Sequence, residues 1–156
     1  MIKPKSLREY LQSKVKSLND RPDDFLTFIE SGQLASTQGP SPSFEYHYKL
    51  NLVILDFNDH ADVIMVPLLI WIRDNQPDLL TGEPSSGIAF EAEILTNETA
   101  DISISLNLTE RVIVTIEDDV IHTYHCPEPK LEDLSGPINW AMYIGDIIVE
   151  TTPLLP

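Results

Sequence analysis

Cysteine is nearly absent. Cys126 stands alone in 156 residues, which rules out an internal disulfide and points to a reducing compartment. Bases are scarce as well: 10 Lys and Arg face 25 Asp and Glu, for a formal charge of −15. Such a chain is soluble and self-repelling, and it disfavours nucleic acid and anionic membrane as partners. Long apolar runs are missing. Val63 to Ile72 has no polar side chain, but at about 1.5 Å per residue it reaches only about half-way across a bilayer core. It reads as a core helix. The opening MIKPKSLREYL has neither an apolar segment nor a small-residue cleavage site, so a secretory signal is not expected. No internal repeat is visible.

Catalytic signatures are also lacking. There is no nucleophile elbow, Gly-rich phosphate loop or paired-cysteine motif. His122, His125 and Cys126 have some of the spacing of a metal site. A structural zinc takes four ligands, however, and no second cluster supplies the rest. The two histidines also have opposite parity on a strand and face apart. Glu91 and Glu93 share a strand face, as a catalytic carboxylate pair would, but two acids on the wet face of an antiparallel sheet are ordinarily just solvated. The expectation is a protein that is not an enzyme, with no catalytic, cofactor-binding or metal residues and no cofactor. The sequons at Asn97 and Asn107 mean nothing without secretion.

What is present is a strand followed by a helix. From Phe44 to Ile54 the apolar positions Phe44, Tyr46, Tyr48, Leu50, Leu52 and Ile54 alternate with Glu45, His47, Lys49 and Asn51, the period of a half-buried strand. Val53 and Leu55 break the polar face, so that end should be buried on both sides. Asp56 to Asp59 is turn chemistry, and Asn58 or Asp59 can cap the helix that follows. Pro67 should kink or break that helix at Val66–Pro67, and it should end by Gln76–Pro77.

Upstream, Ser6-Leu7-Arg8-Glu9 has the form of a capping box. Leu7, Tyr10, Leu11, Val15 and Leu18 recur at helical spacing, giving an amphipathic helix over 6–18. Phe25 to Glu30 reads as a strand, Ser31-Gly32-Gln33 as a turn, and Leu34 to Thr37 as a short partner strand, before a loop over 38–43. After an exposed loop over 81–87, Ile88 to Ile94 alternates. A turn at 96–99 leads into Ile102–Leu108, the cleanest amphipathic strand in the chain. Val112, Val114 and Ile116 keep its parity, so it continues, bent near Glu110–Arg111. Asp118-Asp119 makes a hairpin tip and Val120 to Tyr124 returns. Residues 127–156 read as a Pro-rich arm, whose last part could add an edge strand or reach a neighbouring subunit.

Charge is unevenly placed. Lys3, Lys5, Arg8, Lys14, Lys16 and Arg21 meet only Glu9 and Asp20 in the first 21 residues, so a basic helix sits on an acidic body. Lys14 and Lys16 are the docking residues this suggests. Arg111 has either a salt bridge to Glu110 or Glu117, or an interface role. Trp140 and Tyr143 in the arm complete the interface candidates.

Several blocks taken together resemble the tail completion protein R family of temperate contractile-tailed phages. They are Pro4-Lys5-Ser6-Leu7-Arg8, SFEYHYKLNL at 43–52, MVPLLIWIRDNQPDLL at 65–80, DISISLNLTERVIV at 101–114 and HCPEP at 125–129. The likeness covers roughly residues 1–130. It implies a structural protein, not an enzyme, that caps or finishes the head-proximal end of the tail so that a head can join. It further implies a fold similar to tail terminators and a ring matched to the six-fold tail. The implied partners are the tail tube, other completion or connector proteins and further copies of the chain. DNA would pass through without being bound, and no membrane is involved. The setting is the bacterial cytoplasm during assembly and then the virion tail. Two other readings are a tail-assembly factor absent from the virion and a small-molecule-binding α+β domain.

The expected fold is α+β: one domain over 1–126, with a mainly antiparallel twisted sheet of six to seven strands, an N-terminal amphipathic helix and a central buried helix. The arm over 127–156 follows.

Overall fold

The computed structural model describes residues 1–36, 39–83, 87–96, 99–118 and 120–129, together with the backbone of 141–144 and 147–151. The elements in order are α1 (Lys3–Lys14), α2 (Lys16–Asp20), a 3-10 turn, β1 (Phe25–Ser36), β2 (Phe44–Phe57), α3 (Asp62–Asn75), a second 3-10 turn, β3 (Ile88–Ile94), β4 (Ala100–Glu117), β5 (Val120–His125), β6 (Ala141–Ile144) and β7 (Ile147–Thr151). The fold is α+β, with five antiparallel strands in one sheet. Its order is β1-β2-β4-β3, and β5 also pairs with β4. β6 and β7 make a separate two-stranded sheet.

β2 and β4 form the centre because their apolar alternation matches in register. Tyr48 lies opposite Leu108, Leu50 opposite Leu106, Leu52 opposite Ile104, and Ile54 opposite Ile102. All eight are buried. Leu7 and Leu11 of α1, and Ile64, Leu68 and Ile72 of α3, cover this face. Each such side chain contributes about 1.5–3 kcal/mol on burial. The Trp71 indole N–H donates to Ser6 Oγ at 3.2 Å, tying α3 to α1. The opposite face presents Asn51, Ser103, Ser105 and Asn107, none of them buried. Val53 and Leu55 are half-buried there, not fully covered as expected.

β4 uses its two edges differently. The Val114 N–H donates to Ser43 Oγ at 2.9 Å and its carbonyl accepts from Ser41, both on the β2 side. On the other side the Asn107 N–H donates to Gly87 and the Arg111 carbonyl accepts from Cys126, each at 2.9 Å. β3 and β5 therefore share the far edge of β4, one along each half. Between them the Gln76 side chain takes the place of a strand, accepting from the Thr109 N–H at 3.1 Å and donating to Thr109 Oγ1 at 3.0 Å.

Several local expectations change. The N-terminal helix starts at Lys3 and breaks at Val15 (φ −112, ψ 108) before α2 resumes. One extended, β-branched residue re-aims the chain so that Val15 and Leu18 both reach the core. The capping box does not form: Ser6 is engaged by Trp71, and Glu9 lies 3.7 Å from Lys5. No hairpin turns at Ser31–Gln33. β1 runs straight through with a bulge between Ile29 and Ser31. Gly32 lies opposite Tyr48, where an added Cβ would stand 3.4 Å from the Tyr48 Cβ. The glycine serves close strand packing, not a turn.

β2 extends through the expected turn to Phe57, which is buried, with Asp56 at φ 49. Neither Asn58 nor Asp59 caps α3; His60 Nδ1 accepts the Asp62 N–H instead, at 3.2 Å. α3 passes through Pro67 without interruption, at the cost of one backbone bond near the helix start. β4 has no irregularity near Glu110–Arg111, since its register with β2 is continuous from Val112 to Ile102. The hairpin at Asp118 (φ 51) and the strand that follows it are as expected, while Asp119 and Thr37 lie outside the described residues. β3 alternates in sequence, yet Phe90 and Ile94 are 64% and 80% exposed. The helices do not cover that edge of the sheet.

Candidate functional site

A polar cluster sits where α1 begins, and Glu110 is its centre. Position 110 has the same parity as Leu108 and Val112, so its carboxylate enters the core face and is buried. α1 has no side-chain cap of its own. Glu110 supplies one from β4, accepting the Ile2 N–H at 2.8 Å and the Lys3 N–H at 3.1 Å. A carboxylate at a helix N-terminus also meets the positive end of the helix dipole. The Tyr48 hydroxyl donates to Glu110 at 2.6 Å.

His125 Nδ1 lies 3.2 Å from the same carboxylate. That nitrogen is buried and makes no aligned hydrogen bond, so the pair is a close contact only. Burial alone would push the Glu110 carboxyl up. The Tyr48 hydroxyl, the two amides and the N-terminal ammonium outweigh it and hold the group below its ordinary range. Burial, and then the Glu110 carboxylate, drive the Tyr48 hydroxyl upward. One group stays ionised and the other protonated across neutral pH. Neither is poised to move a proton there, although a Tyr, a Glu and a His are gathered together.

Lys3 extends the cluster. Its ammonium donates to Gln76 Oε1 at 2.6 Å and pairs with Glu128 at 2.7 Å. Gln76 in turn donates to Asp78 at 2.7 Å. The strap after β5 is thus pinned onto the start of α1. An open cavity of about 350 Å³ lies beside it, bordered by Ile2, Asn75, Tyr124 and Cys126. Sequence reasoning treated Lys3 as part of a basic face and Glu110 as a bend. The parity of β4 was the signal that placed Glu110 inside.

Most other bases are committed within the chain. Lys5 faces Glu9, Arg21 lies 3.3 Å from Asp24, and Lys49 lies 2.9 Å from Glu30. Arg8 donates to the carbonyls of Pro22 and Phe25 and stacks on the Phe25 ring at 4.8 Å. Lys14, Lys16 and Arg111 have neither a carboxylate nor a carbonyl partner among the described residues. Lys14 lies 5.9 Å over the Tyr10 ring, and Lys16 is exposed. The suggested Arg111–Glu110 bridge does not form, because neighbouring strand positions face apart and Glu110 is already engaged. Arg111 lies opposite Glu45 in the ladder, exposed on the open face beside a groove of about 670 Å³. Lys14 and Lys16 are thus on the helical layer and Arg111 on the sheet. The fold does not bring them together.

Tyr143 lies in β6 opposite Ile148, and Trp140 lies outside the described residues. His122 and His125 are placed opposite Thr115 and Val112, on opposite faces of β5. Glu91 and Glu93 lie opposite Ser103 and Asp101 on the open face. No helix among the described residues is long and apolar enough to cross a membrane.

Residues 1–129 match the family described as P2 phage tail completion protein R (GpR). The chain is 42% identical over 131 residues to the tail completion protein R of Escherichia phage P2, covering 83% of this chain and 84% of that one. No solved structure matches.

Proposed function

This chain belongs to the P2 phage tail completion protein R family, and from that membership we propose that it acts in phage tail completion at the head-proximal end of the tail, as a ring of copies that prepares the tail for head joining. It works by binding, not by catalysis. The observation that carries this reading is the match over residues 1–129. The surface is consistent with it. Ring subunits meet through two different patches that must complement each other. Lys14, Lys16 and Arg111, without a carboxylate partner among the described residues of a chain of charge −15, supply cations for an acidic neighbour. The same net charge opposes association of free copies, so the ring closes on the tube end and the free protein is mainly monomeric. Partners are then the tail tube, connector proteins and the chain itself. The protein is made in the host cytoplasm and ends in the virion tail.

Two measurements test this. Electron microscopy of particles from a deletion strain should show overlong or headless tails; normal tails would end the proposal. Lys14→Glu with Lys16→Glu should block tail completion while leaving the fold intact, since Lys16 is exposed and Lys14 loses only its contact over the Tyr10 ring, at a cost of about 1 kcal/mol or less. Normal tails from that variant would remove these lysines from the interface. Mass spectrometry of purified particles separates a resident tail protein from an assembly factor that leaves.

A further inference from the structure

We infer that the C-terminal hairpin β6–β7 is an exchanged arm, which adds strand to strand onto the outer edge of β1 in a second copy of this chain, over Ser31–Ser36. The inference deepens the ring reading by naming one of its contacts, and rests on that reading only for the number of copies.

Four observations carry it. First, among the described residues β6 and β7 pair with each other and with no strand of the five-stranded sheet. A two-stranded hairpin is at best marginally stable alone in water. Ile147, Ile148 and Val149 are consecutive apolar residues, and consecutive strand positions alternate between faces. Second, the sheet offers a free edge of the right kind. Among the described residues β1 pairs only with β2, and Leu34 on that edge strand is 66% exposed. An unpaired edge with exposed apolar side chains is a template for another strand. The first part of β1 is already occupied, because Arg8 holds the Phe25 carbonyl. That leaves the second part, beyond the bulge.

Third, charge selects this edge over β3. Residues 131–156 contain Glu132, Asp133, Asp146 and Glu150 and no Lys, Arg or His. β3 presents Glu91 and Glu93, which would repel the arm. The end of β1, Ser31–Ser36, carries no charged residue. Fourth, the arm has the reach. Glu128 is pinned by Lys3 at 2.7 Å, on the β5 side of the sheet, opposite β1. The segment from Glu128 to Ala141 can span up to about 45 Å when extended, and a body of this size is about 35 Å across. The donor thus leaves one edge and the acceptor is the other edge, a heterologous contact that propagates from copy to copy and closes as a ring.

The test uses two full-length chains, each with Cys126→Ser. One carries Gln33→Cys in β1 and the other Ile148→Cys in β7. They are produced together with the remaining tail proteins, and purified tails are oxidised and run on a non-reducing gel. The expected result is a disulfide between the two chains, at about tenfold the yield of a control pair carrying Glu91→Cys in place of Gln33→Cys. Equal yields at Gln33 and Glu91 overturn the inference. So does a bond that forms only when both cysteines are in one chain. The copy number per tail, from quantitative mass spectrometry, separates the two levels of the argument. Several copies without the Gln33–Ile148 bond overturn the arm alone, whereas one copy per tail overturns the ring together with the arm.

Discussion

Removing the Glu110 carboxylate should destabilise the protein and change how its stability depends on pH. In the native state the group accepts from Ile2 N–H, Lys3 N–H and Tyr48 O–H at 2.8, 3.1 and 2.6 Å. Glu110→Ala strands all three donors in a buried site. Bonds to a charged acceptor are worth about 1.5–3 kcal/mol each but do not add, and breaking a buried charged cluster costs about 3–5 kcal/mol in total. For a chain of this size, each kcal/mol moves the midpoint by about 2–4 °C. A loss of roughly 6–20 °C at pH 7 follows, read by circular dichroism. Glu110→Gln keeps the shape and one acceptor but turns an NH₂ group toward a donor, at a cost of about 2–4 kcal/mol.

The pH profile is the sharper readout. The Glu110 carboxyl is held below its ordinary value of 4.5 in the folded state. Its contribution is complete above that value, and it is lost as pH falls through the lower folded value. The gap between wild type and Glu110→Gln should therefore be full at pH 7 and shrink on acidification below about 4.5. A gap of less than about 2 °C at pH 7, or one unchanged down to pH 3, would refute the assignment of Glu110 as the ionised cap of α1.

Three further outcomes are expected. Lys3→Met keeps the packed stem but leaves Glu128 and Gln76 short of a donor, costing about 1–3 kcal/mol; hydrogen exchange should show faster amides over Cys126–Glu128, and unchanged exchange there would show that the ion pair does not hold the strap. Ile104→Ala, at a position with no exposure at the centre of β4, should cost about 2–5 kcal/mol in urea unfolding, and a loss under about 1 kcal/mol would place it outside the packed core. Light scattering of the free protein at physiological salt should give mainly monomer, whereas a stable free hexamer would contradict assembly on the tube.

The class of fold was legible because its strongest signals are local. The alternation of β2 and β4 and the unbroken apolar run of α3 each fix an element without reference to the rest. The errors fall where a distant partner decides. Ser6 and Glu9 form a plausible box in isolation, but the helix starts earlier, and Glu110 caps it at the Ile2 and Lys3 amides from more than a hundred residues away. Gly32 has turn chemistry locally, yet the pairing of β1 with Tyr48 gives it another use. In sequence Glu110 reads as a bend, because a charge interrupts an apolar series. Strict parity would have put it inside, and an inward acid requires donors that no neighbouring residue supplies. Of the interface candidates, charge alone drew attention to Lys14, Lys16 and Arg111. Only the three-dimensional pairing of the other bases distinguishes these three from a generally basic N-terminus.

That distinction changes what the charge imbalance means. A basic helix on an acidic body first looks like one large electrostatic handle. In the fold, Lys3, Lys5 and Arg21 turn inward or along the chain to carboxylates of their own, and Arg8 caps an edge strand. Much of the apparent handle is therefore internal fastening. Among the described residues, Lys14 and Lys16 on the helical layer and Arg111 on the sheet are left for partners, and the fold does not bring them together. Sparse cations on a strongly acidic body cannot hold like copies together in solution by charge alone, because repulsion between whole subunits acts over about a Debye length, roughly 8 Å at physiological salt. They can select the orientation in which copies meet, since a misdocked pair sets acid against acid. Affinity has to come from another source, such as a tube surface that collects the copies or strand addition by an apolar hairpin. In that arrangement the charges act as negative selection against early or wrong closure, and backbone pairing and apolar burial hold the ring once it is placed.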